Sequence, residues 1–355
     1  MSSAAGSAAT GHADGAATAA LLLRLVLGRA EEADERVDWE ALLPIALRNR
    51  VALRVAEALV RRGDRLPPAT EEAIRRERLR RDELLELMQR VSASCAAQPV
   101  SCMFIKALQH YPDVGGDLDL LVLSSDTRID ARLLAGLGAV ELPGGLRGRL
   151  AGVRRYRVGG YAAPLDLMHG RLGPLGEETA FPHLLIANRR RVLRDGAVLD
   201  VPSLEDQLLL QGMQRVYGQR RMHVADVAFT LSALRKGTLD WSYVLETASR
   251  LGFLPGLSCY LSFVAQAHAD AFGAGVVVPA ADRLLRDDWG RIEFRGGSYR
   301  FPALRVNARL YARRFTSGVA SERWETVGRL GLAPVVAAAA LVRRRVMATA
   351  DGSPP

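Results

Sequence analysis

The chain has 355 residues, of which 49% are hydrophobic and 25% charged, a balance that excludes disorder as the main state and gives enough length for two or three packed units. Its three cysteines are neither closely paired nor spaced as metal ligands, which argues against a disulfide framework and predicts a reducing compartment, the cytoplasm. The net charge of +9 is spread along the chain, so it permits a polyanionic partner without establishing one.

The N-terminal part is predicted to be a short tail followed by helices. Residues 1–18 are mostly Ala, Gly, Ser and Thr without the basic start of a signal peptide, and we expect a disordered tail there. Apolar residues at helix spacing predict a helical domain over 19–98, with Asp38 as an N-cap and a break at two successive prolines. The basic run at 75–81 contains interleaved acidic residues, which is typical of a solvated helix face.

The middle of the chain, 99–202, changes to strand-like character. Short apolar runs predict a small mixed β-sheet core with strands at 102–105, 118–123, 153–158 and 161–169. One helix is predicted between them, at 130–137. The dipeptide Gly159-Gly160 suits a tight hairpin between the last two strands. Because Pro164 cannot donate to a β-ladder, the last strand is either an edge strand or begins after Pro164.

The chain is predicted to be helical again after Pro202. Ser203 and Asp206 are candidate caps that open a helical domain over 203–290, and 291–355 is a basic, partly helical region. Its apolar segment 330–342 is about 13 residues long, short of the roughly 20 that a membrane span needs. A helix docked on the protein is favoured there, and a membrane-surface helix stays open. The predicted fold class is α+β, a small mixed β-sheet core flanked by N-terminal and C-terminal helical segments.

Two carboxylates alternate with leucines at the start of the second predicted strand. Because side chains two apart on a strand point to the same face, we expect Asp117 and Asp119 side by side, with Leu118 toward the core. Neighbouring carboxylates repel each other, and Mg²⁺, which favours a few carboxylates plus phosphate oxygens, is their natural partner. The alternative is that both residues simply end a loop at the exposed start of the strand.

Three further features favour the metal interpretation. Gly115 and Gly116 precede the pair and form a loop whose backbone phosphates could approach. Asp166 lies on another apolar strand and, if that strand is a neighbour of the first, completes a three-carboxylate site able to hold two metals. Lys106 opens the turn after the first strand, where a phosphate contact and an ordinary surface position are both open.

These residues resemble the uncharacterised nucleotidyltransferase family of the DNA polymerase beta-like nucleotidyltransferase superfamily. The resemblance extends from about residue 21 to residue 234 and rests on four stretches, namely the lysine turn at 104–107, the Tyr-Pro pair at 111–112, the Gly-Asp-x-Asp stretch at 116–119 and the strand 165–169. It implies that Asp117, Asp119 and Asp166 are catalytic metal ligands. It also implies that Lys106 lies near the nucleotide phosphates.

The resemblance implies a nucleotidyltransferase core at 99–202. Such a core transfers a nucleoside monophosphate from a nucleoside triphosphate such as ATP to a hydroxyl acceptor, with Mg²⁺ or Mn²⁺ and a two-metal mechanism. A small hydroxyl compound is the first acceptor class and a protein side chain the second. Nucleic acid is disfavoured because no aromatic platform is interleaved with the basic residues.

Two departures from the family pattern keep other functions open. Ala107 stands where glycine is usual, and the loop that leads to Asp117 is short, with Gly115 where a basic residue is common. An added Cβ at Ala107 would hinder close approach of a triphosphate. A catalytically silent binding protein that keeps the fold is therefore the alternative. A membrane-surface partner bound through 330–345 is a third option that is not favoured.

Two other polar residues are interpreted as structural. His169, at the end of a strand, could bind a phosphate or the acceptor, but a histidine satisfied by a backbone group is favoured. Asp226 lies in an apolar helix near Arg220 and Arg221, where an intrachain ion pair is favoured over a catalytic base.

Overall fold

The computed structural model describes residues 4–29, 37–124, 126, 128–219 and 221–332. Its helices are α1 (Ala4–Val26), α2 (Trp39–Arg48), α3 (Ala52–Arg62), α4 (Pro68–Ala96), α5 (Ile129–Leu134), α6 (Leu146–Leu150), α7 (Ala180–Ala187), α8 (Leu204–Met213), α9 (Val224–Lys236), α10 (Trp241–Arg250), α11 (Leu254–Phe272), α12 (Ala281–Leu284), α13 (Ala303–Ala320) and α14 (Trp324–Gly331). A π-helical turn, Gln214–Gly218, follows α8. Its strands are β1 (Ser101–Ile105), β2 (Leu118–Leu123), β3 (Ala139–Glu141), β4 (Val153–Val158), β5 (Leu165–His169), β6 (Arg190–Arg194), β7 (Ala197–Val201), β8 (Arg221–Met222), β9 (Glu293–Phe294) and β10 (Tyr299–Arg300).

A mixed five-stranded sheet forms the centre of the fold. Its strand order is β1-β2-β5-β4-β3, with β2 and β5 parallel and the other neighbours antiparallel. Strands β6 and β7 form a separate hairpin, and β8, β10 and β9 form a small three-stranded sheet. A mixed sheet flanked by helices confirms the predicted α+β class.

Apolar side chains leave both faces of this sheet and enter two clusters. Phe104, Leu120 and Leu167 belong to a cluster that includes residues of α4. Met103 and Leu121, from alternate positions of β1 and β2, belong to the larger cluster formed by the N-terminal helices and by α8, α9 and α11. Because successive side chains of a strand point to opposite faces, the two faces of this sheet pack against two different apolar cores.

Helix α1 differs from the sequence prediction, because it begins at Ala4 and includes most of the segment expected to be a disordered tail. Alanine has the highest helix propensity, and this segment is rich in alanine. Farther along the helix, Leu22 and Leu23 are fully buried. Arg24 donates from Nε and Nη2 to the carbonyl of Ala271 near the end of α11, at 3.0 and 2.8 Å. The N-terminal helix thus packs against helices from the second half of the chain.

The junction between α2 and α3 is held by a buried asparagine. Asp38 caps α2 as predicted, since its side chain accepts hydrogen bonds from two backbone amides of the first turn. The helical run then breaks at Asn49, which is fully buried. Its Oδ1 accepts from the amide of Val224 at 3.0 Å, and its Nδ2 donates to the carbonyl of Gly297 at 2.8 Å. One side chain therefore connects the N-terminal helices to α9 and to the turn between β9 and β10.

The predicted tight hairpin at Gly159-Gly160 is wrong. Strand β5 begins after Pro164, one of the two expected possibilities, and it lies inside the sheet between β2 and β4. Arg157 and Val158, at the end of β4, pair with β3 and not with β5. A six-residue connection, 159–164, replaces the two-residue turn because β5 begins only after Pro164, whose nitrogen cannot donate to the ladder.

The C-terminal half contains the predicted helices. Ser203 caps α8, with its hydroxyl accepting from the amide of Asp206 at 3.1 Å. The apolar segment 330–342 lies outside the described residues beyond position 332. Within the described ranges, no helix combines the length and the apolar character that a membrane crossing requires.

Candidate functional site

The three predicted carboxylates meet at one end of the five-stranded sheet. Asp119 is the second residue of β2 and Asp166 the second residue of β5, and the parallel register places them side by side. Asp117 immediately precedes β2, two residues before Asp119. Since register neighbours share a face, Asp119 and Asp166 point to the same side of the sheet. Two stretches almost 50 residues apart in sequence thus contribute to one acidic cluster.

Two members of this cluster are buried. Asp119 is 7% exposed and Asp166 is 5% exposed, whereas the side chain of Asp117 is 40% exposed. The alternating residues Leu118 and Leu165 are fully buried on the opposite face and anchor both strands in the core. A buried carboxylate without a partner is costly, so the cations around Asp119 and Asp166 decide how the cluster is stabilised.

Lys106 is the partner of Asp119. It directly follows β1 and adopts a left-handed backbone conformation with φ of +67°. Its Nζ lies 2.6 Å from Oδ2 of Asp119, and the register pairs Asp119 with Ile105, the residue before the lysine. The turn therefore directs the lysine toward the carboxylates. Ala107, which follows it, is 8% exposed and packs in the α4 cluster.

Arg155 is the partner of Asp166, and the sequence did not indicate it. It lies opposite Asp166 in the antiparallel register of β4 and β5. Its Nε donates to Oδ1 at 2.6 Å and its Nη2 to Oδ2 at 2.7 Å, a bidentate pair. The same Nη2 lies 3.9 Å from Oδ2 of Asp117. The sequence does show an arginine that alternates with buried residues on a neighbouring strand. This pattern indicates a partner for Asp166 only when the register of β4 and β5 is known.

The electrostatics of the cluster reflect crowding of like charges. Burial raises the pKa of Asp119, the nearby charge of Lys106 opposes this, and the charges of Asp117 and Asp166 raise it further. The hydrogen bonds to Asp166 raise the pKa of Arg155. The carboxylates are therefore close enough to repel one another, and the two cations offset that repulsion.

The donor set of the cluster fits a divalent metal by its chemistry. Three carboxylates on one face are the type of ligand that Mg²⁺ and Mn²⁺ prefer. In the described part of the chain, however, no group of three or more His, Cys, Asp or Glu side chains is arranged to hold a metal ion. In this arrangement Lys106 and Arg155 contact oxygens of Asp119 and Asp166. Both cations would have to move before Asp117, Asp119 and Asp166 could share a metal.

The glycine loop before Asp117 leaves open space. A Cβ added to Gly116 would have no heavy atom within 4 Å. A Cβ added to Gly115 would meet Nη1 of Arg50 at 3.4 Å and Oδ1 of Asp117 at 3.6 Å. The predicted phosphate loop thus has both a carboxylate, Asp117, and an arginine, Arg50, beside Gly115.

The two polar residues interpreted as structural have different partners from those expected. His169 has its Nε2 3.2 Å from Oδ1 of Asp130, so the group beside it is a carboxylate and not the expected backbone group. Asp226 forms an ion pair as expected, but its partner is Arg215, whose Nη2 lies 2.8 Å from Oδ1. His110 approaches the same Oδ1 at 3.1 Å. These contacts lower the pKa of Asp226 well below its ordinary value, although burial opposes the shift.

The site lies within a region that matches a known family. The sequence model of a family described as an uncharacterised nucleotidyltransferase matches residues 35–268, which include the three carboxylates, Lys106 and Arg155. No curated protein sequence matches the chain.

Proposed function

The chain belongs to the uncharacterised nucleotidyltransferase family, and from this premise we propose that it transfers a nucleoside monophosphate from a nucleoside triphosphate to a hydroxyl acceptor. The observation that carries the proposal is the register pairing of Asp119 with Asp166, next to Asp117. Three carboxylates that converge from two strands form a site of high negative charge, which a structural role alone does not require.

Asp117, Asp119 and Asp166 are the residues that would hold Mg²⁺ or Mn²⁺. A bound divalent metal would neutralise phosphate oxygens and lower the pKa of the acceptor hydroxyl. Arg155 can leave Asp166 without disturbing the core, because its side chain is 47% exposed. Lys106, with a side chain 25% exposed, can turn from Asp119 to a phosphate oxygen. The two cations that stabilise the resting site then become free to contact the negatively charged substrate.

The proposed reaction forms one bond and breaks one. The oxygen of the acceptor hydroxyl bonds to the α-phosphorus, and the bond from that phosphorus to the oxygen bridging to the β-phosphate breaks. Pyrophosphate leaves with the electron pair of the broken bond, and Asp166 accepts the hydroxyl proton. Lys106 stabilises the charge that develops on the phosphate oxygens.

The class of the acceptor is a separate question from the donor chemistry. A small hydroxyl compound remains our first choice and a protein side chain the second. Nucleic acid stays disfavoured because the basic residues lack interleaved aromatic residues on which bases would stack. The membrane option depends on 333–345, which the structure does not describe.

Incubation of the full chain with each of the four triphosphates labelled at the α-phosphate tests the proposal. The mixture contains Mg²⁺ or Mn²⁺ and a cell extract, and the label is followed into small-molecule and protein fractions. We expect transfer by the wild type and none by Asp166→Asn. The control Asp200→Asn removes a carboxylate that pairs with Arg189 and Arg191 on the β6–β7 hairpin, and it should retain transfer. Absence of labelled product from every triphosphate, with folded protein, would sink the proposal.

A second candidate function is triphosphate binding without transfer. Lys106 and Arg155 already compensate Asp119 and Asp166, and Ala107 is packed where family members usually have glycine. A protein of this kind would bind labelled triphosphate and release it unchanged. Analysis of the bound nucleotide after prolonged incubation separates the two functions, since only transfer generates pyrophosphate.

A further inference from the structure

Arg50 lies at the edge of the carboxylate cluster, on a backbone that the fold holds in place. It separates α2 from α3 and adopts φ of +56°. Its amide donates to the carbonyl of Leu47 at 3.1 Å, and its own carbonyl accepts from Nη2 of Arg54 at 2.9 Å. The preceding Asn49 is fully buried and bonded to the start of α9. The position of Arg50 is therefore determined by packing on both sides.

The guanidinium of Arg50 reaches the glycine loop. Its Nη1 lies 3.4 Å from the point that a Cβ on Gly115 would occupy, a van der Waals distance that places the guanidinium directly beside the loop. This guanidinium forms no hydrogen bond and no ion pair with any residue that the structure describes. Arg54, one turn later, is by contrast paired with Asp113 at 2.9 Å.

The charges around Arg50 favour an additional anion. Burial and the neighbouring cation Arg215 lower the pKa of Arg50, while Asp226, Asp117 and Asp119 raise it from a distance. Asp226 is already bonded to Arg215, and Asp119 to Lys106. Arg50 is thus a partly desolvated cation, and two of its three acidic neighbours are directly paired with other groups, while Asp117 has Nη2 of Arg155 at 3.9 Å. A planar fork of this kind binds phosphate oxygens well.

We propose that Arg50 binds the terminal phosphates of a triphosphate, the pyrophosphate portion that leaves in the reaction. This assignment rests on the proposed function. The α-phosphate must lie near Asp117, Asp119 and Asp166, where the acceptor attacks. Nη1 of Arg50 and Oδ1 of Asp117 lie 3.4 and 3.6 Å from the same point beside Gly115, so Arg50 is close enough to contact the phosphates that follow the α-phosphate. Arg50 therefore distinguishes a triphosphate from a monophosphate.

Binding of tripolyphosphate and of a nucleoside monophosphate, measured by calorimetry on the full chain with Mg²⁺, tests this role. The variant is Arg50→Asn, because asparagine tolerates the left-handed conformation at this position while removing the charge. We expect tripolyphosphate to bind about 10- to 100-fold more weakly, the factor for one charge-assisted hydrogen bond, and the monophosphate to bind as in the wild type. The control Arg48→Gln alters the last residue of α2, an arginine bonded to the carbonyl of Gly296, and it should change neither affinity.

Each result decides the assignment. Unchanged tripolyphosphate affinity in Arg50→Asn, equal losses for both ligands, or no tripolyphosphate binding by the wild type overturns it. If Arg50→Asn does not fold, modification of wild-type arginines by a dicarbonyl reagent replaces it. Protection of Arg50 by tripolyphosphate, mapped by mass spectrometry, supports the role, and unprotected Arg50 overturns it. If Arg50→Asn loses only its affinity for tripolyphosphate and the wild type transfers nothing, the phosphate site is supported and the transferase proposal is rejected. If the wild type transfers normally and the affinity of Arg50→Asn is unchanged, the transferase proposal is supported and the role of Arg50 is rejected.

Discussion

Arg155 holds Asp166 through two parallel hydrogen bonds that occupy both oxygens of the carboxylate, at 2.6 and 2.7 Å. The pair crosses the antiparallel register of β4 and β5, so it is part of the sheet and not a chance surface contact. Any divalent cation that uses Asp166 competes with Arg155. The resting cluster is therefore balanced by the chain's own cations, and metal binding requires exchange of partners.

Removal of Arg155 should separate the stabilisation of Asp166 by its arginine partner from the binding of a metal at Asp166. In the presence of a chelator we expect Arg155→Ala to lower the free energy of unfolding by about 1–2 kcal/mol, because Asp166 is left buried without its partner. Added Mg²⁺ should then raise the thermal midpoint more in the variant than in the wild type, since the competing cation is gone. Thermal scans with a chelator and with Mg²⁺ measure both effects. The control Arg157→Ala removes an exposed arginine two residues along β4. A smaller Mg²⁺ shift in Arg155→Ala than in the wild type would contradict this competition.

Asp117→Asn should reduce transfer without loss of fold. The side chain of Asp117 is 40% exposed, so we expect a stability change within about 0.5 kcal/mol. Loss of one carboxylate from the cluster should lower the transfer rate about 100-fold or more. Labelled-product formation and urea unfolding provide the two measurements. Asp82→Asn on α4 removes a carboxylate that is 56% exposed and serves as the control. Wild-type rates in Asp117→Asn would remove this residue from the proposed site.

Asp226 should contribute stability that depends on pH. Its pKa in the folded state is well below the ordinary value of 3.8, so the ionised carboxylate stabilises the fold above that value, and this contribution is lost as the pH falls toward the folded-state pKa. Near neutral pH, Asp226→Asn should cost about 3–5 kcal/mol, because Arg215 is left buried without its counter-charge. Urea unfolding at a series of pH values should show a constant difference from the wild type at neutral pH that shrinks below about pH 4. A difference that stays constant in acid would show that the charge of Asp226 is not responsible.

Ala107→Gly tests whether the departure from the family pattern limits nucleotide binding. Ala107 is 8% exposed in the α4 cluster, so its replacement should destabilise the fold by about 1 kcal/mol through lost burial and added backbone freedom. If the Cβ hinders the triphosphate, affinity for the triphosphate should rise in spite of this cost. Calorimetric titration at a temperature where both proteins are folded measures it. Unchanged affinity would mean that Ala107 does not restrict the site, and Ala58→Gly on α3 controls for the loss of a buried methyl group.

Local patterns predicted the elements that carry the carboxylates. Strand β2 has the predicted bounds, because a six-residue run with five apolar residues ends at a polar segment and leaves little freedom in its limits. Asp117 and Asp119 share a face for the same local reason. Pairing with Asp166 needed an assumption about strand order that residues far apart in sequence determine.

Long-range features escaped the sequence for a related reason. Arg155 gains its role from the register of β4 and β5, and this register follows from a six-residue connection that was expected to be a tight turn. Arg50 gains its role from the contact of an N-terminal junction with a loop more than 60 residues later. Helix α1 was missed because small residues suggest a flexible tail, although alanine also favours a helix.

The hydrogen bonds of Asn49 determine at which stage of synthesis the proposed nucleotide site can be completed. This residue holds Arg50 beside the glycine loop by bonding to Val224 and Gly297, and both emerge from the ribosome long after the three aspartates. A nascent chain that ends near residue 200 contains every carboxylate of the cluster but lacks the groups that hold Asn49 and Arg50 in place. Nucleotide recognition through Arg50 should consequently appear only when translation is nearly complete.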